Sequence, residues 1–353
     1  MGLGREIMRE STVTLKDVSR AVGLHPSTVS LCLNNSPKVA GKTSARVQAA
    51  ARQMGYQPHP HLKALMRHRR LGGGEKTPPT VGLVTFYPTR NGWRERFPAT
   101  DKIIAGARDK AFRRGFRLEE VWMPLDQYTG ERVTERLGES GISGVLLTAL
   151  PEPRENLDWP WEQLAAVAIG PSLHNPRLHR IRSDHFKSMC VAMRECHRLG
   201  YRRPGLTIPH EVNKRTDFRW MAGYLTGQSE LGLRDCPEIH FPMDWTRESF
   251  LQWFRRGRPD VIFSTRTDQV LSWLEGEGLS APKDIGVVTL STLTPRGRVS
   301  GIYEHWETQG ERAMMVLGNL LTENEFGPQD SPVISVVAGT WVPGQTVRRV
   351  DSG

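Results

Sequence analysis

Two rhythms divide the chain. Between Val13 and Tyr56 apolar residues recur in short bursts: Leu15, Val18 and Val22, then Val29 and Leu33, then Val47, Ala50 and Met54. Intervals of three and four residues are those of one helix face, so this stretch predicts three short helices. After Thr80 continuous apolar runs replace the bursts, at residues 81–84, 144–147, 165–169, 205–208, 261–263 and 285–290. Such runs predict strands buried on both faces, as in parallel sheets. Helical stretches lie between them, including residues 99–114, 184–199 and 268–277; in the second, Met189, Ala192, Cys196 and Leu199 share a face, which places Cys196 in the core. Strand–helix alternation of this kind means parallel sheets covered by helices. The fold class expected is therefore multidomain: a small all-α head followed by a larger α/β body.

Punctuation within the first region sharpens the reading. Thr14 stands where a side-chain cap would open the first helix, and Gly23 where a left-handed residue would close it. Pro26 and Ser27 open a second helix, since proline is tolerated in a first turn. With Val29 and Leu33 turned inward, Ser27, Thr28, Ser30 and Leu31 are left for a groove. Residues 34–37 read as a loop, and a third helix runs from about Gly41 to Gly55. Two short helices joined at a glycine and braced by a third make a helix-turn-helix. Beyond it, glycines 72–74 with Pro78 and Pro79 mark an exposed linker.

Charge gives this head a partner. Residues 1–70 hold 12 Lys+Arg against 3 Asp+Glu, whereas the remainder holds 36 against 35. Nearly all of the net +10 therefore sits in the first fifth of the chain, as in a polyanion-binding module attached to a neutral body. No apolar run has the length of a membrane span, and the first ten residues lack the apolar stretch of a secretory signal. Cys32, Cys190, Cys196 and Cys236 have no metal-ligand spacing, so reduced thiols in a cytoplasm, no metal and no cofactor are expected. His59 and His61 have no third ligand nearby and read as solvated. Gly41-Lys42-Thr43 imitates the end of a phosphate-binding loop, but Ser36 stands where that motif needs glycine. Residues 141–144, Gly-Ile-Ser-Gly, do not have the spacing of a nucleophile elbow, and no HExxH motif is present. The chain does not read as an enzyme.

The segments VTLKDVSRAVGL, PSTVS, LNNSPKV, KTSARV and GYQP follow one another without a gap. In order and spacing they resemble the DNA-binding domain of the LacI family of bacterial regulators. A generic three-helix bundle would explain the apolar positions, but not Ser27, Thr28, Ser30 and Asn34. The resemblance implies DNA contacts from Thr14, Lys16, His25, Pro26, Ser27, Thr28, Ser30, Leu31, Asn34, Thr43 and Tyr56. It also implies a hinge helix from which His59, Ala64 and Leu65 reach DNA, with Leu65 wedged between base steps in the minor groove. A solvated basic linker is the alternative for that segment. Two departures stand out: Leu31 replaces a customary arginine, and His25 a small hydroxyl residue. The usual operator sequence therefore does not carry over.

The resemblance extends to a two-lobed, periplasmic-binding-protein-like body with a ligand cleft at the carboxyl ends of its strands. Domain boundaries expected on this basis are 1–58 for the head and 59–78 for hinge and linker. The body would comprise one lobe of 79–170 with about 303–331, and a second of 171–302 with about 332–353. Trp93 and Arg94 in the first strand–helix loop, and Arg219 and Trp220, are candidates for effector binding, as are Thr267, Asp268, Ser291 and Thr292. Sugar-binding relatives often carry an arginine where Trp220 stands and an aspartate pair where Ser291 and Thr292 stand, so a standard polyhydroxyl grip is not expected. The partners implied are double-stranded operator DNA, a small-molecule effector related to a sugar or similar metabolite, and a second copy of the chain. A constitutive or architectural repressor, whose body only dimerises, is the rival reading.

Overall fold

The computed structural model describes residues 15–33, 39–54, 78–152, 156–323 and 325–350. They fall into two compact units divided between Pro79 and Thr80.

In the first unit, α1 (Leu15–Val22), α2 (Pro26–Leu33) and α3 (Gly41–Gln53) surround a core of Val18, Val29, Cys32, Val47 and Ala51. Gly23 takes φ +67°, and the Leu24 amide reaches back to the Ser19 carbonyl at 3.2 Å. That bond closes α1 as a left-handed cap does, and it aims the chain into α2. Gln48 donates from Nε2 to the Cys32 carbonyl at 3.0 Å, so α3 satisfies an acceptor at the end of α2. The core is finer-grained than the apolar count anticipates, because Cys32 is fully buried while Leu33 is only half-buried.

The second unit is built on two sheets. In the first, the order is β10 (Ile334–Val337), β5 (His179–Ser183), β4 (Ala165–Ile169), β3 (Gly144–Leu147), β1 (Thr80–Thr85) and β2 (Arg117–Trp122), with every neighbouring pair parallel. The second runs β11 (Thr340–Val342), β9 (Gly301–Tyr303), β8 (Gly286–Thr292), β7 (Val261–Ser264) and β6 (Pro204–Thr207); only β11 is antiparallel to its neighbour. The chain passes to the second lobe after β5, returns before α12 (Trp306–Glu323), and crosses again between β10 and β11.

This topology corrects the expected lobe boundaries. β5 and β10 both belong to the first sheet, so that lobe extends to residue 183 and includes residues 334–337. Neither strand has the apolar run that betrays a buried strand. β5 reads HRIRS, and β10 is an edge strand alternating exposed and half-buried. Its arginines explain how β5 is nonetheless buried: the Arg180 guanidinium donates to the carbonyls of Gly170 and Leu173, so the charge enters the interior hydrogen-bonded.

The helices α5 (Thr100–Arg113) and α12 cross at their glycines. A Cβ on Gly106 would stand 1.9 Å from the Glu307 carbonyl oxygen, and one on Gly310 the same distance from that of Ile103. Only glycine permits this backbone contact, which clamps the returning segment onto the first lobe. In the second lobe, Asp184 caps α7 (His185–Arg198) by accepting from the Lys187 amide at 3.0 Å. Met189, Ala192 and Cys196 on α7 are buried, and Gly223 of α9 (Arg219–Glu230) lets that helix lie against the Phe186 carbonyl.

Candidate nucleic-acid interface and interlobe cleft

In the head, α2 has two unlike faces. Val29 and Cys32 are buried, while Leu31 is 37% exposed and His25, at the start of the helix, is exposed. The His25 carbonyl accepts from Thr28 and Val29, so His25 begins the helical hydrogen bonding. Ser27 falls in the first turn of α2 and Thr28, half-buried, follows it. Thr43 is half-buried near the start of α3, and Lys42 is exposed next to it. Lys16 falls on α1, and Pro26 and Ser30 fall on α2. The expected contacts Thr14, Asn34, Tyr56, His59, Ala64 and Leu65 lie outside the described residues.

The cleft of the body has a volume of about 700 Å³ and opens between the lobes at the carboxyl ends of β1, β4, β5, β7 and β8. Six expected residues meet there: Trp93, Trp220, Thr267, Asp268, Ser291 and Thr292. Both tryptophans are 2% exposed and belong to the cores of their lobes. Trp220 packs on the His185 ring at 4.6 Å between centroids, and His185 Nε2 lies 3.1 Å from Glu304 Oε1. That contact is off the line of a hydrogen bond. Thr267 donates to the Ser264 carbonyl and opens α11 (Thr267–Glu275), while Trp306 donates to the Thr292 carbonyl.

Two expected residues are placed elsewhere. Arg94 is spent on the flank of the first lobe, bonded to Asp101 at 2.8 Å and to Glu120 at 2.7 Å, and does not line the cleft. The cause is helical phase: Trp93 turns inward on α4 (Gly92–Arg96), so its neighbour turns out. Arg219 opens α9 beside Asp217 at 3.7 Å and is likewise absent from the wall; Trp220 points inward in its place.

Other arginines take their place: Arg96, Arg182, Arg215 and Arg266 all line the cavity. Arg96 follows Trp93 by three residues, one helical turn, and Arg266 immediately precedes Thr267, so both lay within reach of the pattern. Arg215 ends α8 (His210–Arg215), a short helix without an apolar stripe, and gave no signal. Arg182 pairs with Asp217 at 2.9 Å. Glu211 Oε1 receives both Arg96, at 3.0 Å, and Arg266, at 3.4 Å. Arg215 crosses from the second lobe to donate to the Pro151 carbonyl at 2.7 Å, and its guanidinium lies 5.3 Å from the Phe97 ring centre. Burial raises the Tyr87 hydroxyl above its ordinary pKa, although Arg215 and Arg96 pull it down.

A helix-turn-helix head joined to a two-lobed binding-protein-like body is the build of a bacterial transcriptional regulator. Residues 14–59 match the family model described as "Bacterial regulatory proteins, lacI family". The chain is similar to the ribose operon repressor of Escherichia coli, 25% identical over 239 residues, 60% of this chain and 68% of that protein. It is also similar to the HTH-type transcriptional repressor PurR of Haemophilus influenzae, 22% identical over 340 residues, 92% and 95% of the two chains. The structure of the transcriptional regulator CelR in complex with cellobiose shares the fold, with a TM-score of 0.57 at 20% identity, covering 95% of this chain and 99% of that one. The chain thus resembles LacI-family transcriptional regulators, which are non-enzymatic DNA-binding proteins.

Proposed function

We propose that this protein is a sequence-specific transcriptional repressor that binds a pseudo-palindromic operator as a homodimer in the cytoplasm, with DNA affinity set by a small molecule in the interlobe cleft. The observation that carries the reading is the match over residues 14–59 to a family of DNA-binding regulators, on a head that keeps Leu31 of α2, and His25 just before that helix, exposed. Ser27, Thr28, Ser30 and Leu31 read base edges. Lys16 and Thr43 hold phosphates, and residues 59–78 form the hinge from which Leu65 enters the minor groove. A single reading head per chain asks for a two-fold dimer on two half-sites. Among the described residues no helix is long and apolar enough to cross a membrane. An open cleft of about 700 Å³ favours a ligand-modulated regulator over a body that only dimerises.

Binding-site selection from random duplex DNA by the full chain, followed by sedimentation of the complex, tests the reading. The expected result is a two-fold symmetric site bound by two chains, with log affinity falling against log salt by about 0.9 per phosphate contacted. Failure to enrich any sequence over random DNA, or a persistent monomer on the enriched site, would falsify it.

A further inference from the structure

Three guanidinium groups line the cleft, and two of them share a single carboxylate. Arg96 and Arg266 approach the same Glu211 oxygen from opposite lobes, at 3.0 and 3.4 Å. Arg96 and Arg215 flank the same Phe97 ring, at 5.7 and 5.3 Å from its centre. Arg215 has no carboxylate partner among the described residues; its Nη2 is bonded to a neutral carbonyl, and Nε and Nη1 are buried without a well-aligned hydrogen bond. The Tyr87 hydroxyl beside them is also buried without a well-aligned bond. The other acids are committed elsewhere or stand on other parts of the wall. Asp217 pairs with Arg182, Glu304 faces His185, and Asp268 sits in the first turn of α11. Three positive charges with one carboxylate shared by two of them, partly out of water, repel one another unless an anion joins them.

We propose that the effector is a small organic anion whose carboxylate or phosphate seats among Arg96, Arg215 and Arg266, with its body against Trp220 and Trp306. This deepens the reading of the cleft as an effector site and rests on it. Guanidinium forks match carboxylate and phosphate oxygens two at a time, which a neutral polyhydroxyl group does not exploit. Arg96 belongs to the first lobe while Arg215 and Arg266 belong to the second, so an anion held by all three ties the lobes together. Arg215 already reaches across to Pro151, and anion binding holds the lobes in that arrangement.

All ten tryptophans lie at or beyond residue 93, so tryptophan fluorescence follows the body alone, without interference from phosphate on the basic head. Thermal unfolding of the full chain is read this way in inorganic phosphate against chloride at one ionic strength. Phosphate should raise Tm saturably by about 2 °C or more. Arg215→Gln should abolish the rise, Arg266→Gln should reduce it, and Arg108→Gln on the outer flank should leave it whole. Glucose 6-phosphate and gluconate, each compared with glucose, then separate phosphate from carboxylate as the preferred head. The proposal is overturned by the absence of a phosphate-specific rise, by its full retention in Arg215→Gln, or by glucose stabilising as much as both anions. Should Arg215→Gln not fold, the half-exposed Arg266→Gln and the charge-keeping Arg215→Lys decide in its place: loss in the first with retention in the second supports the site, and full retention in Arg266→Gln overturns it. Anion-dependent stabilisation with unchanged operator affinity would refute the effector reading while leaving the anion site standing.

Discussion

The head and the body organise their functional surfaces in opposite ways. On α2 the candidate contacts lie within five residues, Ser27 to Leu31, and the exposed Leu31 and the buried Val29 and Cys32 take different sides of that one short helix. In the cleft, side chains converge from residues 93 to 309, and five strands, three crossovers and both lobes are needed to bring them together. A local surface is written in local periodicity, whereas a cleft depends on topology. Lesions in the two regions should therefore separate: the head should fail in DNA binding without disturbing the body, and the reverse should hold for stability.

The largest effect is expected where the body has no spare room. Gly310→Ala drives a methyl group into the Ile103 carbonyl, and relief requires α5 and α12 to part. Overpacking against backbone should cost about 3 kcal/mol. The check is the denaturant midpoint read by tryptophan fluorescence, with Gly278→Ala as a contrast: Gly278 has open space but φ +76°, so its penalty is backbone strain alone. An equal loss in both would mean that the helix crossing is not the tight point. Deleting part of the head core is the complementary experiment. Val47→Ala removes two methyl groups from a five-residue core, for about 2 kcal/mol. Cores this small rarely supply more than a few kcal/mol in total. Operator binding should fall at least tenfold while the body's unfolding transition stays in place. A shifted body transition would show that the two units do not fold independently.

These contrasts also explain what could be read without coordinates. The helices of the head, the central strands β1, β3, β4, β6, β7 and β8, and the helices beginning near residues 100, 185 and 267 all follow from apolar spacing. Strands with mixed composition escaped. β2 reads RLEEVW at a sheet edge, and β5 buries arginines by bonding them to carbonyls. In the cleft the aromatic and hydroxyl positions were legible, because they follow strand ends. Arg94 and Arg219, the arginines beside those tryptophans, each sit one residue out of phase with the wall. The arginines that do line it, Arg182 and Arg215 above all, come from segments whose local sequence has no binding signature.

His240 offers a pH-dependent contrast within the body. Its ring lies between Thr207 and Ser249, with 2.9 Å contacts on both nitrogens, and stacks on Trp253. Burial, aided by Arg256, lowers its pKa to about 4. The folded ring thus stays neutral where the unfolded one, titrating near 6.5, takes a proton. Stability from this group is complete above about pH 6.5 and is lost as pH falls toward 4. The expected loss is on the order of 2 kcal/mol, allowing for solvent screening of a half-buried ring. Urea midpoints at pH 7 and pH 5 should differ more for the wild type than for His240→Gln; parallel changes would place the titration elsewhere. DNA affinity of the isolated contacts on α2 should not follow this profile.

The smallest effect in free energy is the most specific, and it probes the head alone. Leu31 is 37% exposed and stands on the side of α2 opposite Val29 and Cys32. Leucine has no donor for guanine O6 or N7, so whatever it reads is apolar, such as a thymine methyl group. Leu31→Arg keeps the helix, since leucine and arginine have similar helix propensities and no core contact is lost. The new guanidinium can fork onto one guanine in each half-site, which is worth about 1–3 kcal/mol of discrimination at that base pair. It also adds a charge near the phosphates, which should raise affinity for all DNA and steepen the salt dependence by about one phosphate per chain. Leu31→Ala should instead relax preference at the same base pair and leave the rest of the site intact. Selection experiments on all three proteins at one salt concentration make the comparison. A guanine appearing at a single symmetric position in the arginine variant, and a flattened preference at that position in the alanine variant, identify the base that Leu31 faces. Three identical selected sites would mean that α2 presents another face to the bases, and that the exposure of Leu31 belongs to solvent rather than to the groove.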